Sequence, residues 1–169
     1  MFEKLLTSAA FLSVGLFNLA AAAPTGVSPA LAIPTSGKYR IQSAVTGFFI
    51  DDLNSNQADG APVVVAPLNN PPTANQEWTL DINSGHFGTL QSTSSFIRIL
   101  SGPTGQLVTE LGTKESAFFT FMEASGGVLV CADPVSFGCL TSPTEPNATI
   151  TLTPLTSAQN QVWIFEIVG

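Results

Sequence analysis

Along much of the chain, large apolar residues recur at every second position. The period is clearest in Trp78-Thr79-Leu80-Asp81-Ile82 and in Trp163-Ile164-Phe165-Glu166-Ile167. Successive side chains of a strand face opposite ways, so this spacing predicts strands that bury one face in a core. Each stretch follows an Asn-Gln pair, Asn75-Gln76 and Asn160-Gln161. Between them, Phe118-Phe119-Thr120-Phe121-Met122 keeps the rhythm but has no Asn-Gln in front. One unit present three times, with its middle copy degraded, accounts for all three. No window carries a helical period over enough residues to compete.

The first unit, about residues 37–82, reads as four strands: Tyr39 to Ser43, Phe48 to Ile50, Pro62 to Ala66 and the strand that starts at Trp78. Thr46-Gly47 makes a turn, and the polar runs Leu53 to Gly60 and Pro67 to Ala74 are loops. The second unit, about 83–124, places Thr89 to Ser92, Phe96 to Ile99, Leu107 to Leu111 and Phe119 to Phe121 in the same order. The third, about 125–169, offers Val128 to Cys131, Phe137 to Leu140, Thr149 to Leu155 and the Trp163 strand. Thr149 to Leu155 aligns without gaps on Pro62 to Leu68, including a shared Pro-Leu ending. A four-stranded unit of about 42 residues also suits a propeller blade, but three blades fall short of the usual count of about 4 to 8. Three such units do close a β-trefoil. The expected fold is therefore all-β, a β-trefoil of three four-stranded repeats with pseudo-threefold symmetry.

The start of the chain belongs to a different class of segment. Lys4 precedes an apolar run from Leu5 to Leu19 that is broken by Thr7, Ser8, Ser13 and Asn18 and ends in Ala20 to Ala23. A basic start, a short apolar middle and small residues at a cleavage point describe a secretory signal peptide over 1–23, too short and interrupted for a membrane span. A second Ala-x-Ala at Ala30 to Ala32 leaves a later cleavage open. Residues 24–36, with Pro24, Pro29 and Pro34, read as an extended lead-in to one domain over 37–169. The expected destination is extracellular.

Charge narrows the partners. The leader's Lys4 and Glu3 cancel, so the net charge of −7 applies equally without it. Only Lys38, Arg40, Arg98 and Lys114 remain as cations, which leaves no basic patch for nucleic acid or an anionic membrane. Charged residues make up 10% of the chain, and the surface left to Ser, Thr, Asn, Gln and Gly suits neutral, hydroxyl-rich ligands.

Cys131 and Cys139 are the only cysteines. In a secreted chain such a pair suggests a disulfide, with two buried free thiols as the rival. Two cysteines and the lone His86 do not make a metal site, and no cofactor motif is present. Asn147-Ala148-Thr149 is a glycosylation sequon in a turn set by Pro146. Catalysis finds little support. Serine or threonine nucleophiles need a base, and His86 sits in a turn beside Gly85; Asp51 and Asp52, being adjacent on a strand, cannot flank one bond. The chain reads as a non-enzyme.

The repeated Asn-Gln-x-Trp, with Gly47, Phe49-Ile50-Asp51 and Pro62-Val63, resembles the ricin B-type β-trefoil lectins over about Gly37 to Gly169. The resemblance implies a carbohydrate-binding module, with a sugar or a glycoprotein glycan as partner. It makes the tryptophans core residues and the glutamines braces. It puts the sugar-binding carboxylate at Asp51, with Asp52 beside it, and the polar contacts at Asn75 and Gln76. The stacking aromatic of the family belongs near the end of the third strand, where this chain has Ala66 and Thr153. Repeat two has Arg98-Ile99 and repeat three Leu140-Thr141-Ser142 where the aspartate is wanted. At most one sugar site is therefore expected, in repeat one, which could borrow an aromatic from Phe48 or Phe49, although one of that pair should point into the core. Two other readings stay open. One is a protein-binding trefoil, such as a protease inhibitor using Leu53 to Gly60 or Ser142 to Asn147; the other is a scaffold that has lost sugar binding.

Overall fold

The computed structural model describes residues 32–95, 97–101, 107–111, 118–132 and 138–169, with side chains outside 97–101 and 107–111. Twelve strands are present among them. Repeat one holds β1 (Gly37–Ser43), β2 (Phe49–Asp52), β3 (Val63–Ala66) and β4 (Trp78–Ile82). Repeat two holds β5 (Phe87–Ser92), β6 (Ile97–Ser101), β7 (Leu107–Leu111) and β8 (Phe119–Ala124). Repeat three holds β9 (Gly127–Ala132), β10 (Cys139–Thr141), β11 (Thr151–Thr153) and β12 (Val162–Ile167).

The pairing shows how the repeats close. The first and last strands of each repeat form a ring, β1-β4-β5-β8-β9-β12 and back to β1, antiparallel at every step. The middle strands of each repeat pair as hairpins, β2 with β3, β6 with β7 and β10 with β11. A closed ring removes the edges that an open sheet would leave unpaired. Hydrophobic alternation supplies the interior: Ile41, Trp78, Leu80, Leu90, Phe119, Phe121 and Trp163 are all buried to 1% exposure or less.

The two tryptophans do the same work in two repeats. Trp78 Nε1 donates to the Ile50 carbonyl at 3.0 Å, and Trp163 Nε1 donates to the Leu140 carbonyl at 3.0 Å. Each indole thus fills the core and ties the second strand of its repeat to the fourth. A buried tryptophan needs a partner for its N–H, and the second strand supplies it. Phe119, also fully buried, stands in the corresponding place of repeat two.

One difference from the expected pattern has a local cause. The strand expected over Thr149 to Leu155 shortens to Thr151–Thr153, because the residues before it pair with repeat one. Val65 N donates to the Ala148 carbonyl, Asn147 N to that of Val65, and Ile150 N to that of Val63. The second strand of repeat three begins only at Cys139; Phe137 and Phe96 lie outside the described residues. Residues 32–36, at the end of the expected lead-in, lie against the barrel: Tyr39 Oη donates to the Thr35 carbonyl, and Ser36 Oγ exchanges bonds with the backbone of Ile82.

One charged cluster crosses a strand joint. Glu77, just before β4, accepts from Arg40 Nη2 at 2.6 Å and faces Lys38 Nζ at 3.9 Å, both on β1. Glu77 and Arg40 are mostly buried, at 15% and 22% side-chain exposure, so Glu77→Gln is expected to cost about 1–3 kcal/mol. The loss should shrink in about 1 M salt, where charge is screened within roughly 3 Å. Urea unfolding at low and high salt measures both.

Candidate functional site

Each Asn-Gln pair lies in a single 3-10 turn, Ala74–Gln76 in repeat one and Gln159–Gln161 in repeat three, directly before the tryptophan strand. The glutamines brace that corner in matching ways. Gln76 Nε2 donates to the Pro67 carbonyl at 2.8 Å and its Oε1 accepts from Asn69 N at 2.9 Å. Gln161 Nε2 donates to the Pro154 carbonyl at 2.9 Å and its Oε1 accepts from Thr156 N at 2.9 Å. The aligned prolines of the two repeats are thus the two acceptors. Gln76 is fully buried, which places it beneath the groove described below and not in contact with a ligand there.

Asp51 and Asp52, at the end of β2, face opposite ways as strand neighbours must. Asp52 turns toward repeat two, where its Oδ2 accepts from the hydroxyls of Ser92, Ser94 and Ser95. Those bonds make it a clamp between repeats. Asp51 turns the other way. Its Oδ1 accepts from Asn75 Nδ2 at 2.9 Å, and Asn75 Oδ1 in turn accepts from Thr73 Oγ1 and, at 3.4 Å, from Asn69 Nδ2. Burial is the main influence on the Asp51 carboxyl and pushes its pKa above the usual 3.8. The amides of Asn75 and Gln76 pull it back, and the charge of Asp52 adds to the rise.

Asp51 and Asn75 share the wall of a groove of about 560 Å³. Ala66 lies on its surface, and Leu53, Asn54 and Ser55 form one side. Asn54 and Ser55 hold positive φ, 60° and 52°, a backbone that asparagine tolerates better than most residues. Ser94 of repeat two and Asn147 of repeat three complete the lining. Among the described residues no aromatic ring lines this groove. Phe49 is buried opposite Ala66 across the β2–β3 pair, and Phe48 packs against the main core. The expectation that one of them would supply a stacking ring is corrected by that packing. Ser94 and Asn147 come from other repeats, so no spacing within repeat one points to them.

The same corner of repeat three is filled by its own side chains. Thr141, where repeat one has Asp51, lies 2.6 Å from Thr153 through their hydroxyls, and Gln161 Nε2 reaches both, at 3.2 and 2.9 Å. In repeat two Gln91 pairs with Arg98 as Gln42 pairs with Phe49, so Arg98-Ile99, expected at this corner, match Phe49-Ile50, and Leu100 takes the place of Asp51, with its side chain not among those described.

The remaining candidates fall elsewhere. Cys131 and Cys139 face each other across β9 and β10 and form a disulfide, with both residues fully buried. His86 is exposed in the turn before β5, at φ 63°, and lines a separate cleft beside residues 33–36. Among the described residues no group of three or more His, Cys, Asp or Glu is gathered to hold a metal ion, and no helix is long and apolar enough to cross a membrane.

A six-stranded ring with three hairpins, repeated about a pseudo-threefold axis, defines this chain as a β-trefoil. No known family profile matches it, and no curated protein does. Solved structures match in fold. The Rhizoctonia solani agglutinin superposes with a TM-score of 0.69 at 19% identity, over 80% of this chain and 97% of the agglutinin. The designed threefold-symmetric protein ThreeFoil gives 0.68 at 18% identity, over 78% of this chain and 99% of its own. The C-half of an earthworm R-type lectin, solved in complex with GalNAc, gives 0.61 at 20% identity, over 78% of this chain and 99% of that half. At these identities the likeness establishes the fold.

Proposed function

We propose that this chain is a secreted, non-enzymatic module that binds a neutral carbohydrate, free or on a glycoprotein, in the groove of repeat one. The observation that carries the reading is the Asp51–Asn75 pair on the wall of an open groove. A carboxylate held by the amides of Asn75 and Gln76 still has lone pairs for sugar hydroxyls, and the second N–H of the Asn75 amide can donate to a ring oxygen or hydroxyl. The absence of a basic patch agrees with an uncharged ligand, and the lectins among the structural neighbours support the class. With no ring among the described residues to stack on the sugar, the site is expected to be weak, with a Kd near about 1 mM, or roughly −4 kcal/mol.

A glycan array probed with many copies of the chain displayed on one carrier compensates for such weakness by avidity. Asn75→Ala removes one hydrogen bond worth about 0.5–1.5 kcal/mol, so binding should fall about 2- to 12-fold. Failure of every glycan to bind above background, or equal binding by the variant, would count against the reading.

A second reading has one observation in its favour. Leu53 to Ser55 and Asn147, which belong to the two polar loops that could grip a protein, meet at the same groove. Inhibition of a secreted protease that survives Asp51→Ala would favour that partner over a sugar.

A further inference from the structure

Asn147 borders the groove of repeat one although it belongs to repeat three. It is exposed, it stands at the tip of a turn with φ 61°, and Ala148-Thr149 completes an acceptor sequon. Its position is fixed by its neighbours. Asn147 N donates to the Val65 carbonyl at 2.7 Å, Val65 N to that of Ala148 at 3.1 Å, and Thr149 bridges to Val64. The turn is thus stitched to β3, the strand directly beside Asp51.

We infer that Asn147 carries an N-linked glycan and that this glycan closes the groove to ligands from outside. This builds on the carbohydrate reading of the groove, since it names what controls access to that site. In the modification, Asn147 Nδ2 displaces the pyrophosphate of a lipid-linked oligosaccharide; one N–H proton is lost as the bond to the anomeric carbon forms. The attached sugar then starts at the groove's own rim and cannot diffuse away. A short tether gives a local concentration in the millimolar range, about 10 mM. Against a site with a Kd near 1 mM, a competitor at about 10 mM lowers apparent affinity for free sugar about tenfold. Repeat three, which has closed its own site with Thr141 and Thr153, would in this way govern the site of repeat one.

The test uses the full chain made in a glycosylating secretory host, beside Thr149→Ala. That variant destroys the sequon while leaving Asn147 in the groove wall. Intact mass reports occupancy. Hydrogen exchange of the backbone over 53–55 and 73–76 reports cover, and the glycan array reports access. The expected result is one N-glycan on the natural chain, slower exchange confined to those segments, and about tenfold stronger array binding by Thr149→Ala. An unmodified Asn147 overturns the inference, as does unchanged exchange, or sugar binding that is detectable and equal in the two forms. Slower exchange with no sugar bound by either form supports closure by the glycan and overturns the carbohydrate reading, so the two failures are distinct.

Discussion

Trp163→Ala is expected to destabilise the chain by about 3–5 kcal/mol, the range for removing a large buried aromatic side chain. Trp163 is fully buried and pairs with Val128 of β9 on one side and Ser43 of β1 on the other, so it sits where repeats one and three join. Truncation opens a cavity at that joint and leaves the Leu140 carbonyl without its donor. Domain stabilities are about 5–15 kcal/mol, so the variant should be marginal at physiological temperature. Trp163→Phe separates the two effects. It refills most of the space but still orphans the carbonyl, so it should lose only about 1–3 kcal/mol. Chemical denaturation of the three forms measures the series. A loss below about 1 kcal/mol for the alanine variant would contradict the placement of Trp163 in a well-packed core.

Trp78→Ala should cost as much stability and differ in one respect. Its indole donates to the Ile50 carbonyl, the residue directly before Asp51. Loosening that strand end also displaces the groove wall. A comparison of the two variants therefore separates damage to the barrel from damage to the site.

Much of the barrel was legible in the sequence because one physical signal, period-two burial, operates inside each strand and needs no knowledge of the partner strand. The resemblance made the glutamines braces but did not name their acceptors, because Gln76 reaches Pro67 across nine positions and Gln161 reaches Pro154 across seven. What else escaped the reading depends on contacts between repeats. Thr149 and Ile150 look like strand residues of repeat three, yet their neighbourhood hydrogen-bonds to β3 of repeat one. Asp52 gave no hint of its three serine partners, which follow it by roughly forty positions in repeat two. Ser94 and Asn147 reach the groove only once the ring has closed. Phe48 and Phe49 failed as stacking candidates for a local reason. Phe48 packs partly against the main core while Phe49 is buried across from Ala66, and that burial outweighs exposure to an open groove.

Asp51→Asn should abolish most sugar binding and stabilise the fold at neutral pH. The first effect follows from the loss of charge-assisted bonds worth about 1.5–3 kcal/mol, which is about 10- to 150-fold in affinity. The second follows from the direction of its titration. Burial raises the Asp51 pKa above 3.8, so the folded chain holds that proton more tightly than the unfolded chain does. Stability on this account is greatest while Asp51 is protonated and falls as pH rises from the usual carboxylate value through the raised folded one. Above that window the penalty is constant. The asparagine does not titrate and keeps an oxygen for Asn75 Nδ2, so it escapes the penalty. Thermal midpoints of both forms from about pH 3 to 7 should therefore diverge in favour of Asp51→Asn, because other titrations are common to both and cancel for independent sites. A less stable variant at neutral pH, or one that binds sugar as well as the natural chain, would refute this account. The expected pairing, greater stability with lost binding, is the mark of a charge kept for a ligand in a place where the fold alone would favour a neutral group.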